Sequence, residues 1–139
     1  MAKVGVIFAQ GFEEIEALTP VDVLRRAGIE CDMIGLTDQT VTGSHAIPVL
    51  MDKAFDGSLS DYDMIVLPGG LPGAHHLCDH EGLIAALQKE AAAGKYIAAI
   101  CAAPVVLNRA GLLEGKNYTC FTGQESNIQQ GQHQTDLIV

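Results

Sequence analysis

Five short apolar runs punctuate the chain: KVGVIFA (3–9), ECDMIGL (30–36), YDMIVLPGG (62–70), YIAAIC (96–101) and NYTCFTG (117–123). Continuous apolar runs of this length, bounded by turn residues, predict strands buried on both faces. Helical patterns fill most of the gaps. FEEIEALTPVDVLRRAG (12–28) spaces Phe12, Ile15, Leu18, Val21 and Leu24 three apart and stops at Gly28. Pro20 inside it predicts a bend, or a second segment capped by Thr19. EGLIAALQKEAAAGK (81–95) reads as a helix stopped at Gly94, and APVVLNRAGLL (103–113) as one with Pro104 in its first turn. Residues 41–55 are less regular and suggest a small hairpin. The final QTDLIV (134–139) reads as a strand just beginning, which a doubly wound domain would follow with a further helix. Strand–helix alternation predicts an α/β fold: a mostly parallel sheet with helices on both faces, crossed over right-handedly.

Composition narrows the possibilities. The 139 residues suit one domain with a core of its own, and the 48% hydrophobic and 18% charged fractions exclude a disordered chain. A net charge of −9 disfavours nucleic acid and anionic membrane as partners. No run approaches the length of a membrane span, and the N-terminus has neither the length nor the cleavage site of a signal peptide, so a cytoplasmic protein is expected. Cys31, Cys78, Cys101 and Cys120 lack CxxC spacing and are expected as free thiols. Cys31 and Cys120 fall in strand patterns and belong to the expected core, which leaves Cys78 as the expected exposed thiol besides Cys101.

Parallel sheets bind ligands at the carboxyl ends of their strands. Three stretches arrive there: AQGFEE, LPGGLPG and ICAAP. No GxGxxG follows the first strand and no Walker loop occurs, so nothing supports nucleotide binding. Cys101 sits where a strand turns into a helix. That junction either packs a small core residue or presents a nucleophile on a strained elbow, with the helix dipole lowering the thiol pKa. Gly69 and Gly70 either form an ordinary strand-ending turn or bring backbone N–H groups to a ligand. The Gly70 and Ala102 N–H groups would then form an oxyanion hole. Glu13, Glu14 and Glu16 are solvated acids of a first helical turn, or else Glu16 turns toward the sheet edge, is partly desolvated and trades protons with the thiol. HHLCDH (75–80) crowds four ligand types into six residues, unlike the separated pairs of structural metal sites, so no metal is expected there. His76 remains a candidate pocket-lining residue.

Together, GFEEIEALTPVDVLRRAG, YDMIVLPGGLPGA and AAICAAPVVLNRAGLLEGK resemble the ThiJ/PfpI superfamily, in the branch of the Parkinson disease-associated protein deglycase and its bacterial relatives. The resemblance runs from Lys3 to about Gly123. It implies a flavodoxin-like three-layer sandwich in one domain (1–139), a homodimer formed through the first helix with Glu14, Arg25 and Arg26 at the contact, and no cofactor. It also implies that Cys101 is the reactive, oxidisable cysteine, that Glu16 carries the proton hydrogen-bonded to it, and that Gly70 and Ala102 are the backbone donors.

The chain departs from the family at three places. No histidine follows Cys101, none lies in YTCFTG, and the family's closing strand, SRGP-like turn and helix are expected to be missing. A classical cysteine protease is therefore not expected. The expected activity is a glyoxalase- or deglycase-type conversion of methylglyoxal, glyoxal or their protein adducts by a cofactor-independent hydrolase or lyase. The alternatives are an oxidation sensor or oxidation-regulated chaperone using Cys101, and an inactive relative.

Overall fold

A computed structural model describes residues 1–139. Its centre is a five-stranded, wholly parallel sheet of β1 (Lys3–Phe8), β2 (Glu30–Gly35), β5 (Lys53–Ala54), β6 (Met64–Leu67) and β7 (Tyr96–Ala99), in the order β5-β2-β1-β6-β7. Alternation along β1 feeds two cores. Val4, Val6 and Phe8 pack with Ala17 and Val21 of α1 (Glu14–Arg26) on one face. Ile7 and Ala9 join the larger core on the other, with α2 (Gly73–Asp79), α3 (Glu81–Ala92) and α4 (Pro104–Arg109). This is the expected three-layer α/β sandwich. No helix is long and apolar enough to cross a membrane.

The expected hairpin of residues 41–55 forms from β3 (Thr40–Thr42), which starts one residue earlier, and β4 (Pro48–Leu50), and β5 follows. Of the five expected strands, four enter the sheet. The fifth, NYTCFTG, does not: only β8 (Asn117–Tyr118) forms there, and it pairs in parallel with β9 (Gln132–His133) as a separate two-stranded sheet. Polar Asn117, Thr119 and Thr122 give this run little to bury on two faces. QTDLIV contains no strand, and Leu137 and Ile138 are exposed.

Helix α1 runs unbroken through Pro20 from Glu14 to Arg26, with no restart at Thr19. Its buried positions are Glu14, Ala17 and Val21, whereas Ile15 is 73% exposed. The apolar spacing therefore misplaced the inward face by one residue at the helix start. Phe12, which precedes the helix, is the residue buried there, edge-on to Phe8 at 4.8 Å.

Candidate active site

The sheet reverses its building direction between β1 and β6, and open parallel sheets place their ligand crevices at such a point. The registered pair Leu67–Ala99 brings the ends of β6 and β7 side by side. The chain after β6 continues into Gly69 and Gly70, and the chain after β7 into Cys101. Cys101 has φ +60°, a left-handed conformation that costs a non-glycine residue roughly 1–3 kcal/mol. Ile100 N–H donates to Leu67 O at 3.3 Å and Phe121 N–H to Cys101 O at 2.7 Å, so hydrogen bonds hold the elbow on both sides. Ala102 and Ala103 are buried behind it.

Glu16 comes from the first turn of α1. Glu13 caps that helix by accepting from Glu16 N–H at 2.9 Å. The Glu13 N–H donates to Gly69 O at 2.9 Å, and Gly69 N–H donates to Glu16 Oε2 at 2.8 Å, which stitches the helix start to the end of β6. A Cβ on Gly69 would lie 2.6 Å from Glu16 Oε2, 2.8 Å from Cys101 Cβ and 3.1 Å from Ala102 N. Carboxylate, thiol and elbow amide thus converge on one glycine. Gly70 has φ +90°, and its Cβ would fall 2.3 Å from Glu13 N, so this position requires glycine twice over.

The Cys101 thiol is half-buried beside Glu16 and the Ala102 and Gly70 N–H groups. Burial, first, and then the Glu16 carboxylate push its pKa up to about 11, against the two N–H groups that favour the thiolate. The expected lowering by the helix dipole does not occur. Helix α4 has only six residues and begins three positions beyond the sulfur, too short and too far to outweigh desolvation and an adjacent carboxylate.

The DJ-1/PfpI family model matches residues 2–137. The chain belongs to the DJ-1/PfpI family. Protein dj-1beta of Drosophila melanogaster is 38% identical over 125 residues, covering 88% of this chain and 67% of its own length. The crystal structure of Drosophila melanogaster DJ-1beta superposes with a TM-score of 0.91 at 36% identity, over 98% of this chain and 75% of that one. A deglycase of Pyrococcus horikoshii is 33% identical over 128 residues, 91% of this chain and 76% of its own. An oxidised Toxoplasma gondii DJ-1 superposes with a TM-score of 0.79 at 43% identity, over 85% of this chain and 66% of that one.

Within this DJ-1/PfpI fold the sequence-predicted residues divide. Cys101, Glu16, Gly69, Gly70 and Ala102 come together. His76 does not join them: it is exposed on α2 and lines a separate shallow cavity of about 210 Å³ with Gln10, Thr37, Asp79 and His80. His80 Nδ1 accepts from Leu83 N–H at 3.0 Å as the cap of α3, and Cys78 Sγ faces Val105 O at 3.8 Å. Cys78 is half-buried against the larger core and so is not the exposed thiol expected. Cys31 is buried as expected, whereas Cys120 is only partly so.

The charged residues assigned to a dimer contact are satisfied within the chain. Glu14 is buried and accepts from His45 N at 2.7 Å and from the His45 ring. Arg25 donates to Cys31 O and Asp52, and Arg26 to Asp22. Two contributors to the site escaped sequence reading. Glu13 is a cap of an uncommon residue type, and the Phe121 amide acts through its backbone, so neither leaves a side-chain signal.

Proposed function

We propose that this chain converts small reactive carbonyls, such as methylglyoxal and glyoxal, to hydroxy acids, with Cys101 as nucleophile and Glu16 as acid and base. The observation that supports it is the convergence of the strained Cys101, the Glu16 carboxylate and the Ala102 and Gly70 N–H groups around Gly69. Because the resting thiol is pushed up, Glu16 removes its proton as sulfur attacks, so no standing thiolate is needed. The S–C bond forms at the aldehyde carbon, and the proton passes from Glu16 to the carbonyl oxygen, giving a hemithioacetal. Glu16 then takes the C1 proton and returns it to C2 by way of the enediol, which leaves a 2-hydroxyacyl thioester on Cys101. Water hydrolyses the thioester to the hydroxy acid and frees the thiol. Methylglyoxal plus water becomes lactate, with no external oxidant or reductant. The Ala102 and Gly70 N–H groups beside the sulfur would serve the oxygen of a carbon bound to it, where developing negative charge needs a donor. Release of the same aldehydes from protein thiols or amines is the deglycase variant.

The test is mass spectrometry of Glu16→Gln incubated with methylglyoxal. Glu16→Gln removes the proton relay and also the charge that raises the Cys101 thiol, so ionised sulfur still adds to the aldehyde; an adduct of one methylglyoxal mass should accumulate on Cys101, and lactate formation should fall by roughly 10²–10⁴-fold. Adducts scattered over lysines and arginines with Cys101 unmodified would refute the proposal.

A second reading rests on the oxidised Toxoplasma relative: Cys101 oxidised to a sulfinate, held by the same amides and Glu16, as the switch of a sensor or chaperone. The two readings part on peroxide treatment, which should abolish carbonyl turnover in the enzyme and create a binding activity in the sensor.

We also propose that two copies associate through the exposed side of α1. Ile15 and Val23, 73% and 56% exposed, lie two turns apart on that side and are left uncovered.

A further inference from the structure

We propose that Cys120, Glu125 and His133 form a binding site for one divalent transition-metal ion of the zinc class, separate from the Cys101 pair. Their candidate ligand atoms all lie within 4.8 Å of one another. Three elements bring them together. Cys120 follows β8, Glu125 lies in the 3₁₀ turn Gln124–Asn127, and His133 ends β9. The β8–β9 pairing fixes the frame: Tyr118 is in register with His133, their rings tilted together at 5.4 Å, and Gln134 N–H donates to Tyr118 O at 2.7 Å. Gly123 N–H donates to Glu125 Oε2 at 2.7 Å, which orients the carboxylate and leaves its other oxygen available.

The donor set selects the ion. One thiolate, one imidazole and one carboxylate suit a borderline-soft cation and not magnesium or calcium, which require a cage of oxygens. Three protein ligands leave the fourth tetrahedral position to water or another small ligand. Without a cation, the half-buried Cys120 thiol faces a carboxylate, and both burial and that charge disfavour its ionised form. A bound dication reverses the balance and displaces the thiol proton. The other cluster of this kind, Glu13, Glu14 and His45, offers no sulfur, and its Glu14 is already engaged by the His45 backbone and ring and by Ser44. The proposed ion would also fasten the segment whose Phe121 amide holds the Cys101 carbonyl.

The test titrates Co²⁺ and Zn²⁺ into the Cys101→Ala protein, which lacks the rival thiol. One equivalent of Co²⁺ should give a thiolate-to-cobalt charge-transfer band, which Zn²⁺ abolishes, with proton release on binding. Cys120→Ser should remove the band. His133→Gln, at an exposed position, should weaken Zn²⁺ affinity ~10–100-fold while circular dichroism stays unchanged. No band at saturating Co²⁺, a band retained in Cys101→Ala/Cys120→Ser, or unchanged affinity in His133→Gln would each overturn the assignment.

Discussion

At the scale of single residues, the geometry of the site depends on one missing side chain, at Gly69. Gly69→Ala would push a methyl group into Glu16 Oε2 and Cys101 Cβ at 2.6 and 2.8 Å, and both side chains would have to move. Carbonyl turnover should fall by more than ~10²-fold, as expected when reacting groups shift by about 1 Å, and a steady-state assay beside a thermal melt separates this from unfolding.

The Cys101 pair makes a prediction about pH. With the thiol pushed to about 11, alkylation by iodoacetamide should rise with a midpoint near that pH in the resting protein. Glu16→Gln removes a hydrogen bond and a charge that both raise the thiol, so its midpoint should move down. A midpoint that stays put would show that burial alone sets the thiol. Because the folded value exceeds the ordinary 9.0, the thiol's contribution to stability is complete below pH 9 and fades as pH rises toward 11.

Cys101, Glu16 and the two glycines were legible because their residue types and order carry the chemistry. The protonation balance was not legible, since it depends on how much sheet and helix surround the sulfur.

Elements show where the pattern was informative and where it misled. Runs with apolar residues on both faces became the central strands. NYTCFTG, broken by polar Asn117, Thr119 and Thr122, left the sheet to pair locally. In α1 a spacing of three fitted the apolar residues, but the buried set is Glu14, Ala17 and Val21. A carboxylate reads as surface in sequence. Here Glu14 is buried because the turn at residues 43–45 meets it with the His45 N–H and ring and the Ser44 hydroxyl, and His45 lies 31 residues away.

Burial alone would raise the Glu14 pKa, but hydrogen bonds from the His45 ring and backbone hold it below its ordinary value. Its contribution to stability is therefore present above its ordinary value and lost as pH falls through the depressed one. Glu14→Ala leaves the His45 amide without its acceptor and should lower Tm by roughly 3–8 °C at neutral pH, with the difference from the parent protein shrinking in acid. Equal melting temperatures at neutral pH would contradict the role given to this carboxylate.

For the whole molecule, a charge of −9 is compatible with small neutral aldehydes and offers no basic surface for polyanions. The proposed α1 association predicts a light-scattering mass of twice 14.7 kDa, reduced to the single value by Ile15→Glu with Val23→Glu. Were the doubled mass to persist in that variant, the contact would lie elsewhere.

The central claim is that the elbow thiol performs carbonyl chemistry. Its most direct test is methylglyoxal consumption, with lactate assayed as product, by this protein and by Cys101→Ala. The account predicts lactate formed in proportion to methylglyoxal lost, and a fall of at least ~10³-fold in the variant. Lactate formed equally by both proteins, or by neither, would contradict it.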